Sequence, residues 1–308
     1  MQSRRDFLRH ASHLSAGLAV AGLLPRAAGA ELGGAWGVQL YTLRNLLPTR
    51  PAETLKAVAA LGYREVEMLR PSLETLTPMA KDVGLAVPAM HIEAPIVTGE
   101  WAAWKSTPGA LTSLPAESYG IDAAIADAKK HGMRFLTVAY LMAQERTTLD
   151  FYRRFADSMN RAGEKCAAAG LSLCYHHHSF EFEPLEGKVP MDVLVERFDK
   201  KAVGYEIDVF WLSIAGRDPV KTIRDLGSRV RLLHLKDKSK GTSNEYQESK
   251  VKPGAFTEVG SGVVDFPGVL AAGKAVGVAH GFVEQDQTPG DPLDSLKKSY
   301  AYLKTLKI

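Results

Sequence analysis

Asp208, His234 and Glu284 offer two carboxylates and an imidazole, each at the end of a short apolar run. Oxygen and nitrogen donors without a thiolate suit manganese, magnesium, cobalt, iron or zinc, and they argue against a closed cysteine site. His176 and His178 end another such run on one shared face; they are candidates for a fourth ligand or for orienting a substrate hydroxyl. Glu67, His91, Lys236 and Asp286 stand in comparable places. Such a set is suited to proton abstraction next to a carbonyl, with one divalent ion drawing charge onto the oxygen as the carbon acid ionises. Glu284 is then the candidate base, and His178 and Lys236 the candidates for moving protons on oxygen. Glu67 and His91 are the next bases in line. Phe210 and Trp211, just beyond Asp208, are candidates for stacking on a sugar face or, equally, for packing between loops.

These groups converge only if the runs that carry them form one scaffold. Eight short apolar strands are expected, Trp36 to Leu43, Tyr63 to Leu69, Leu85 to Met90, Phe135 to Ala139, Leu171 to His176, Gly204 to Asp208, Val230 to Leu235 and Val278 to Glu284. Apolar spacing of three and four residues predicts helices between them, over Pro51 to Leu61, Ser72 to Val83, Tyr119 to His131, Leu149 to Ala169, Pro190 to Phe198, Asp218 to Leu226 and Phe266 to Ala275. An eighth is expected over Pro292 to Leu306. Strand and helix alternating eight times predict a (β/α)₈ barrel, a TIM barrel, whose active site is built at the C-terminal ends of its strands. No Gly-x-Gly-x-x-Gly follows the first strand, so the main sign of a dinucleotide fold is missing. Two inserts, Ile92 to Ala116 with Trp101 and Trp104, and the charged Lys236 to Val264, are long for barrel loops and belong on the functional face. The second reads equally as a solvated flap or a substrate lid.

The chain opens with Arg4-Arg5 before Phe7-Leu8, an almost uncharged stretch from Leu14 to Leu24, and Ala28-Gly29-Ala30. This order resembles a twin-arginine export signal cleaved after Ala30, which implies a periplasmic protein with residues 31–308 as a single catalytic domain. An amphipathic first helix or a membrane anchor are the other readings, although the apolar run is shorter than a spanning helix needs. Residues 1–30 hold four basic residues and one acid, so the remainder of a chain with 38 Lys and Arg and 35 Asp and Glu is formally neutral. No basic stripe suggests a nucleic-acid partner. A small sugar or polyol is the expected partner, no stable membrane anchor is expected, and a homodimer is compatible with the sequence. Cys166 and Cys174 read as two buried thiols or one disulfide.

Several segments resemble the sugar phosphate isomerase/epimerase family, the xylose isomerase-like barrels that include inosose dehydratase and other relatives active on keto-sugars. They are Gly37 to Arg44, Gly62 to Glu67, Tyr175 to Phe182, Tyr205 to Trp211, His234 to Asp237, Gly262 to Phe266 and Val283 to Asp286. The resemblance implies four metal ligands from strands five to eight, falling on the segment around His176 and on Asp208, His234 and Glu284. Many relatives place glutamate on strand five and use it with its strand-eight counterpart as two bases on opposite faces of the substrate. This chain has His176 there, and His177 where similar fifth strands have asparagine.

The resemblance implies a divalent-metal-dependent enzyme that isomerises, epimerises, or eliminates from or hydrates a keto-sugar, inosose or keto-glycoside. An exported chain without a glycine-rich phosphate cradle favours a non-phosphorylated substrate. A non-enzymatic periplasmic sugar-binding barrel is one alternative, and a metal-dependent endonuclease-like hydrolase another.

Overall fold

The computed structural model describes residues 32, 34–107 and 114–307. The expected export segment lies outside them. Eight parallel strands close into the expected barrel: β1 (Trp36–Gln39), β2 (Glu65–Leu69), β3 (Ala86–Ile92), β4 (Phe135–Val138), β5 (Ser172–His176), β6 (Val203–Asp208), β7 (Val230–Leu235) and, after the short β8 (Asp237–Lys238) and β9 (Phe256–Thr257), β10 (His280–Val283). Each barrel strand pairs with its neighbour in sequence order, and β10 pairs with β1 to complete the ring. The eight expected helices form the outer layer, their ends shifted by a few residues at most.

Local chemistry explains the differences. β1 stops at Gln39 because its side chain accepts the Tyr41 amide at 2.7 Å, turning Leu40–Leu43 into a 3₁₀ segment. Gly62, at φ 113°, ends Pro51–Leu61 in the left-handed region, where a β-carbon would also collide with the Tyr300 ring. In β1, Gly37 leaves room for the ring of Phe282, its register partner on β10.

Side chains two apart on a strand share a face, which stacks the barrel interior in tiers. Ala89, Phe135, Cys174, Leu232 and Phe282 form an apolar plug. Four of them stand two residues before His91, His176, His234 and Glu284, so the polar groups lie directly above the plug. Burying Leu232 or Phe282 contributes roughly 1.5–3 kcal/mol each, which helps offset the cost of the polar tier. Both cysteines are buried free thiols.

The first insert folds into Pro95–Thr98 and Ala102–Ser106, with Trp101 and Trp104 buried. In the second, β8 and β9 pair antiparallel, and the Asp237 carboxylate accepts the amides of Gly260, Gly262 and Val264 at 2.8–3.1 Å. The two ends of this insert are thereby stapled to each other. Among the described residues, no helix is long and apolar enough to cross a membrane.

Candidate active site

The polar interior has two tiers joined by His234, which is fully buried at the end of β7. In the lower tier His234 Nε2 lies 2.6 Å from Glu67 Oε2 and 3.4 Å from Glu206 Oε2. His91 Nε2 faces the same two carboxylates at 3.0 and 2.8 Å, and His176 Nδ1 lies 3.3 Å from Glu206 Oε2. Burial and the negative charge of Glu67 push Glu206 up to about 7. Burial also raises Glu67, but His91 and His234 outweigh it and hold that carboxyl well below the ordinary range. Burial lowers and the two carboxylates raise the pKa of His91, to about 9. A second proton on its Nδ1 would meet the Gln39 Nε2 donor at 3.2 Å, however, and this opposes protonation there.

In the upper tier His234 Nδ1 lies 2.9 Å from Glu284 Oε2 and 3.8 Å from Asp208 Oδ2. Lys236 Nζ sits among three carboxylates, 2.7 Å from Glu284, 3.1 Å from Asp208 and 3.0 Å from Asp286. Burial works against the ammonium, yet Asp208, Asp286 and Glu284 raise the lysine well above its ordinary value. Glu284 is held well below the carboxylate range by Lys236 and His234 against its burial. Burial pushes Asp286 up to about 7. Asp208 Oδ1 accepts the amides of Phe210 and Trp211, both at 2.9 Å, which caps the short helix Val209–Ile214 and aims Oδ2 inward.

This donor set fits a divalent ion. One ligand atom from each of Asp208, His234 and Glu284 lies within 4.8 Å of the other two, and the buried Asp208 Oδ2 makes an ion pair with Lys236 but no hydrogen bond. His176 does not join that trio but groups with His91, Glu206 and His234. His176 Nδ1 and His178 Nδ1 are both buried without a hydrogen bond, the first in ion-pair range of Glu206. Burial first, and then neighbouring positive groups, push both histidines well below their ordinary pKa.

A cavity of about 520 Å³ opens onto the upper tier, its walls including Tyr41, His178, Trp211, Lys236, Glu284 and Asp286. His91 and His176 also reach it, whereas Glu67, Asp208 and His234 lie behind the wall. Trp211 lines this cavity. Phe210 does not: it is fully buried and stacks on Phe256 at 4.3 Å, so for this residue packing between loops replaces the expected sugar contact. His177, just past the end of β5, packs edge-on against Phe182. The second insert contributes Glu248, Val251, Pro253 and Phe256 to the cavity, so it covers the mouth instead of lying out in solvent.

Some site residues escaped the sequence reading. Glu206 stands two before Asp208 on the same face, and that parity was the available signal. Gln39 carried none, because an uncharged amide in an apolar strand resembles a filler. Glu181, pushed up to about 7 by burial, accepts from Tyr175 Oη at 2.5 Å and from the His178 amide at 2.8 Å, and so shapes the turn that presents His178.

Comparison with known proteins agrees with this architecture. The family model for the xylose isomerase-like TIM barrel matches residues 55–306. An inosose dehydratase of Geobacillus thermodenitrificans is 32% identical over 157 residues, which are 48% of this chain and 52% of that protein. The chain thus spans about half the length of the curated relatives it matches. A sugar phosphate isomerase/epimerase from Parabacteroides distasonis superposes with a TM-score of 0.68 at 21% identity, over 91% of this chain and 96% of the other. The IOLI protein, solved with a bound zinc atom, superposes with a TM-score of 0.61 at 13% identity, over 87% and 97%. At these identities the two structures establish the fold alone. With its closed eight-strand ring, its polar strand ends and a family match over most of its length, the chain belongs to the xylose isomerase-like TIM barrel family.

Proposed function

We propose that this chain is a sugar-modifying enzyme that abstracts a proton next to the carbonyl of a non-phosphorylated keto-sugar, inosose or keto-glycoside. The observation that carries this reading is the placement of the Glu284 carboxylate on the cavity wall, 2.7 Å from the Lys236 ammonium. Asp208, His234 and Glu284 would hold one divalent ion, with a fourth protein ligand from His176 or His178. Such an ion supplies Lewis-acid polarisation of a carbonyl oxygen.

The chain's own residues divide the remaining work. Glu284 takes the proton from carbon, because it is ionised and faces the cavity. Lys236 is held charged by its three acidic neighbours, which keeps a proton available for an oxygen of the substrate. A departing hydroxyl or glycosyl oxygen takes its proton from Lys236, because burial keeps His178, the other expected donor, neutral. Trp211 and Tyr41 form walls against which a sugar ring can rest. Across from Glu284 the cavity presents His176 and His178 where two-base relatives have a carboxylate, which favours elimination or hydration over epimerisation. Export through the twin-arginine route, with residues 1–30 removed, belongs to this reading on the strength of the sequence.

The test is solvent-deuterium exchange at the carbon next to the carbonyl, screened over keto-glycosides, inososes and simple ketoses. Exchange that is present in the native protein and lost in metal-loaded Glu284→Gln supports the reading. Undiminished exchange in that variant places the base elsewhere, and binding without exchange on any substrate makes the chain a sugar-binding barrel.

A further inference from the structure

The side of His234 turned away from the cavity is governed by a hydrogen-bond chain that starts at a backbone amide. Tyr41 N donates to Gln39 Oε1 at 2.7 Å. A backbone N–H can only donate, so the two ends of the Gln39 amide are not interchangeable here. Its Nε2 must be the nitrogen, and it donates to Glu67 Oε2 and to His91 Nδ1, each at 3.2 Å. His91 Nδ1 is therefore an acceptor, which leaves the ring proton on Nε2, 2.8 Å from Glu206 Oε2 and 3.0 Å from Glu67 Oε2. A ring nitrogen that carries a proton is not a metal donor. The lower group of His91, His176, Glu206 and His234, close-set as it is, thus loses one of its apparent ligands.

The same geometry gives Glu67 a role. It is fully buried and absent from the cavity wall, so it does not reach a substrate. Its Oε2 gathers Gln39, His91 and, at 2.6 Å, His234 Nε2. Accordingly, and resting on the metal reading above, we propose that Glu67 is the positioning residue for His234. It accepts the Nε2 proton, fixes the tautomer, and leaves the Nδ1 lone pair facing Asp208 and Glu284 for a divalent cation, while Gln39 and His91 hold Glu67 in register. Residues from β1, β2 and β3 thereby set the ligand on β7 from the opposite side of the barrel. Removing such a partner of a metal-bound histidine typically lowers metal affinity about 10- to 100-fold.

The test is a Co²⁺ titration of the full chain, read by visible absorption, for the native protein, Glu67→Met, Glu67→Gln and Asp208→Asn. Glu67→Met should weaken Co²⁺ binding about 10- to 100-fold, and Glu67→Gln, which keeps an acceptor oxygen, should recover part of the loss. In the Zn²⁺-loaded protein, histidine spectra should show the His234 proton on Nε2, and the ¹H shift of that proton should move upfield in Glu67→Gln, where a neutral amide replaces the carboxylate acceptor. That readout carries the test if Glu67→Met does not fold. A merely structural role for Glu67 would lower thermal stability and leave that proton shift and the affinity of the folded protein unchanged. Native affinity in Glu67→Met, or an unprotonated His234 Nε2, overturns the proposal while Asp208→Asn still loses Co²⁺. Native Co²⁺ binding in Asp208→Asn overturns the metal reading itself, and this proposal with it.

Discussion

Lys236 Nζ lies 2.7 Å from Glu284 Oε2 at the cavity floor, with both side chains almost wholly shielded from water. The pair places a fixed positive charge beside the candidate base, so their contributions separate by the atom each serves. Lys236→Ala should keep deuterium exchange at carbon while slowing release of the leaving group by roughly 10²–10⁴-fold, the usual scale for a positioned proton donor. Single-turnover kinetics with exchange followed in parallel checks it. Equal loss of both steps would show that Lys236 acts on the carbon acid.

Asp208 both faces the proposed ion and caps Val209–Ile214. Asp208→Ala should abolish stoichiometric metal by elemental analysis and lower folding stability by about 1 kcal/mol through the lost cap. Unchanged metal content would refute Asp208 as a ligand.

Glu248, on the second insert, accepts from Tyr140 Oη and from Arg146 Nη2 on the far rim, which latches the insert over the cavity. Hydrogen bonds to a charged group contribute about 1.5–3 kcal/mol. Glu248→Gln should therefore raise KM by about tenfold with kcat little changed, and amide exchange across residues 236–264 should quicken. Native KM together with native exchange protection would mean that the insert does not act as a lid.

Glu181 has a folded pKa of about 7, above the ordinary 4.5, because burial disfavours its charge. A carboxyl shifted upward binds protons more tightly folded than unfolded, so its contribution is present below about pH 4.5 and is lost as pH rises through about 7. Between pH 5 and 8 the native protein should lose more stability than Glu181→Gln does. Denaturant midpoints at the two pH values decide it, and parallel losses would count against Glu181 as the titrating group.

The proposed export of this chain predicts a mature protein beginning at Glu31. Changing Arg4-Arg5 to two lysines should hold the precursor in the cytoplasm, read by fractionation and N-terminal sequencing. Export unaffected by that change would rule out the twin-arginine route.

The barrel was legible because its signals are local. A strand advertises itself by apolar content, a helix by spacing of three and four, and parity tells which residues share a face. That arithmetic put Asp208, His234 and Glu284 at neighbouring strand ends and set His177 apart from His176 and His178. It was equally able to reveal Glu206, two residues from Asp208, but a glutamate inside an apolar strand looks costly until the histidines that offset its burial are seen beside it.

What the sequence by itself determined was the ring of strands, the face of each that points inward, and the chemical types gathered at the ends. The tertiary structure alone decided which atoms meet. Glu67 and His234 are 167 residues apart and touch at 2.6 Å only because β10 closes on β1 and brings the two halves of the ring together. Phe210 packs on Phe256, and Glu248 latches to Tyr140, because the second insert folds back across the mouth. Partner choice of this kind depends on distance and orientation across the barrel axis, and no periodicity within a single strand encodes it.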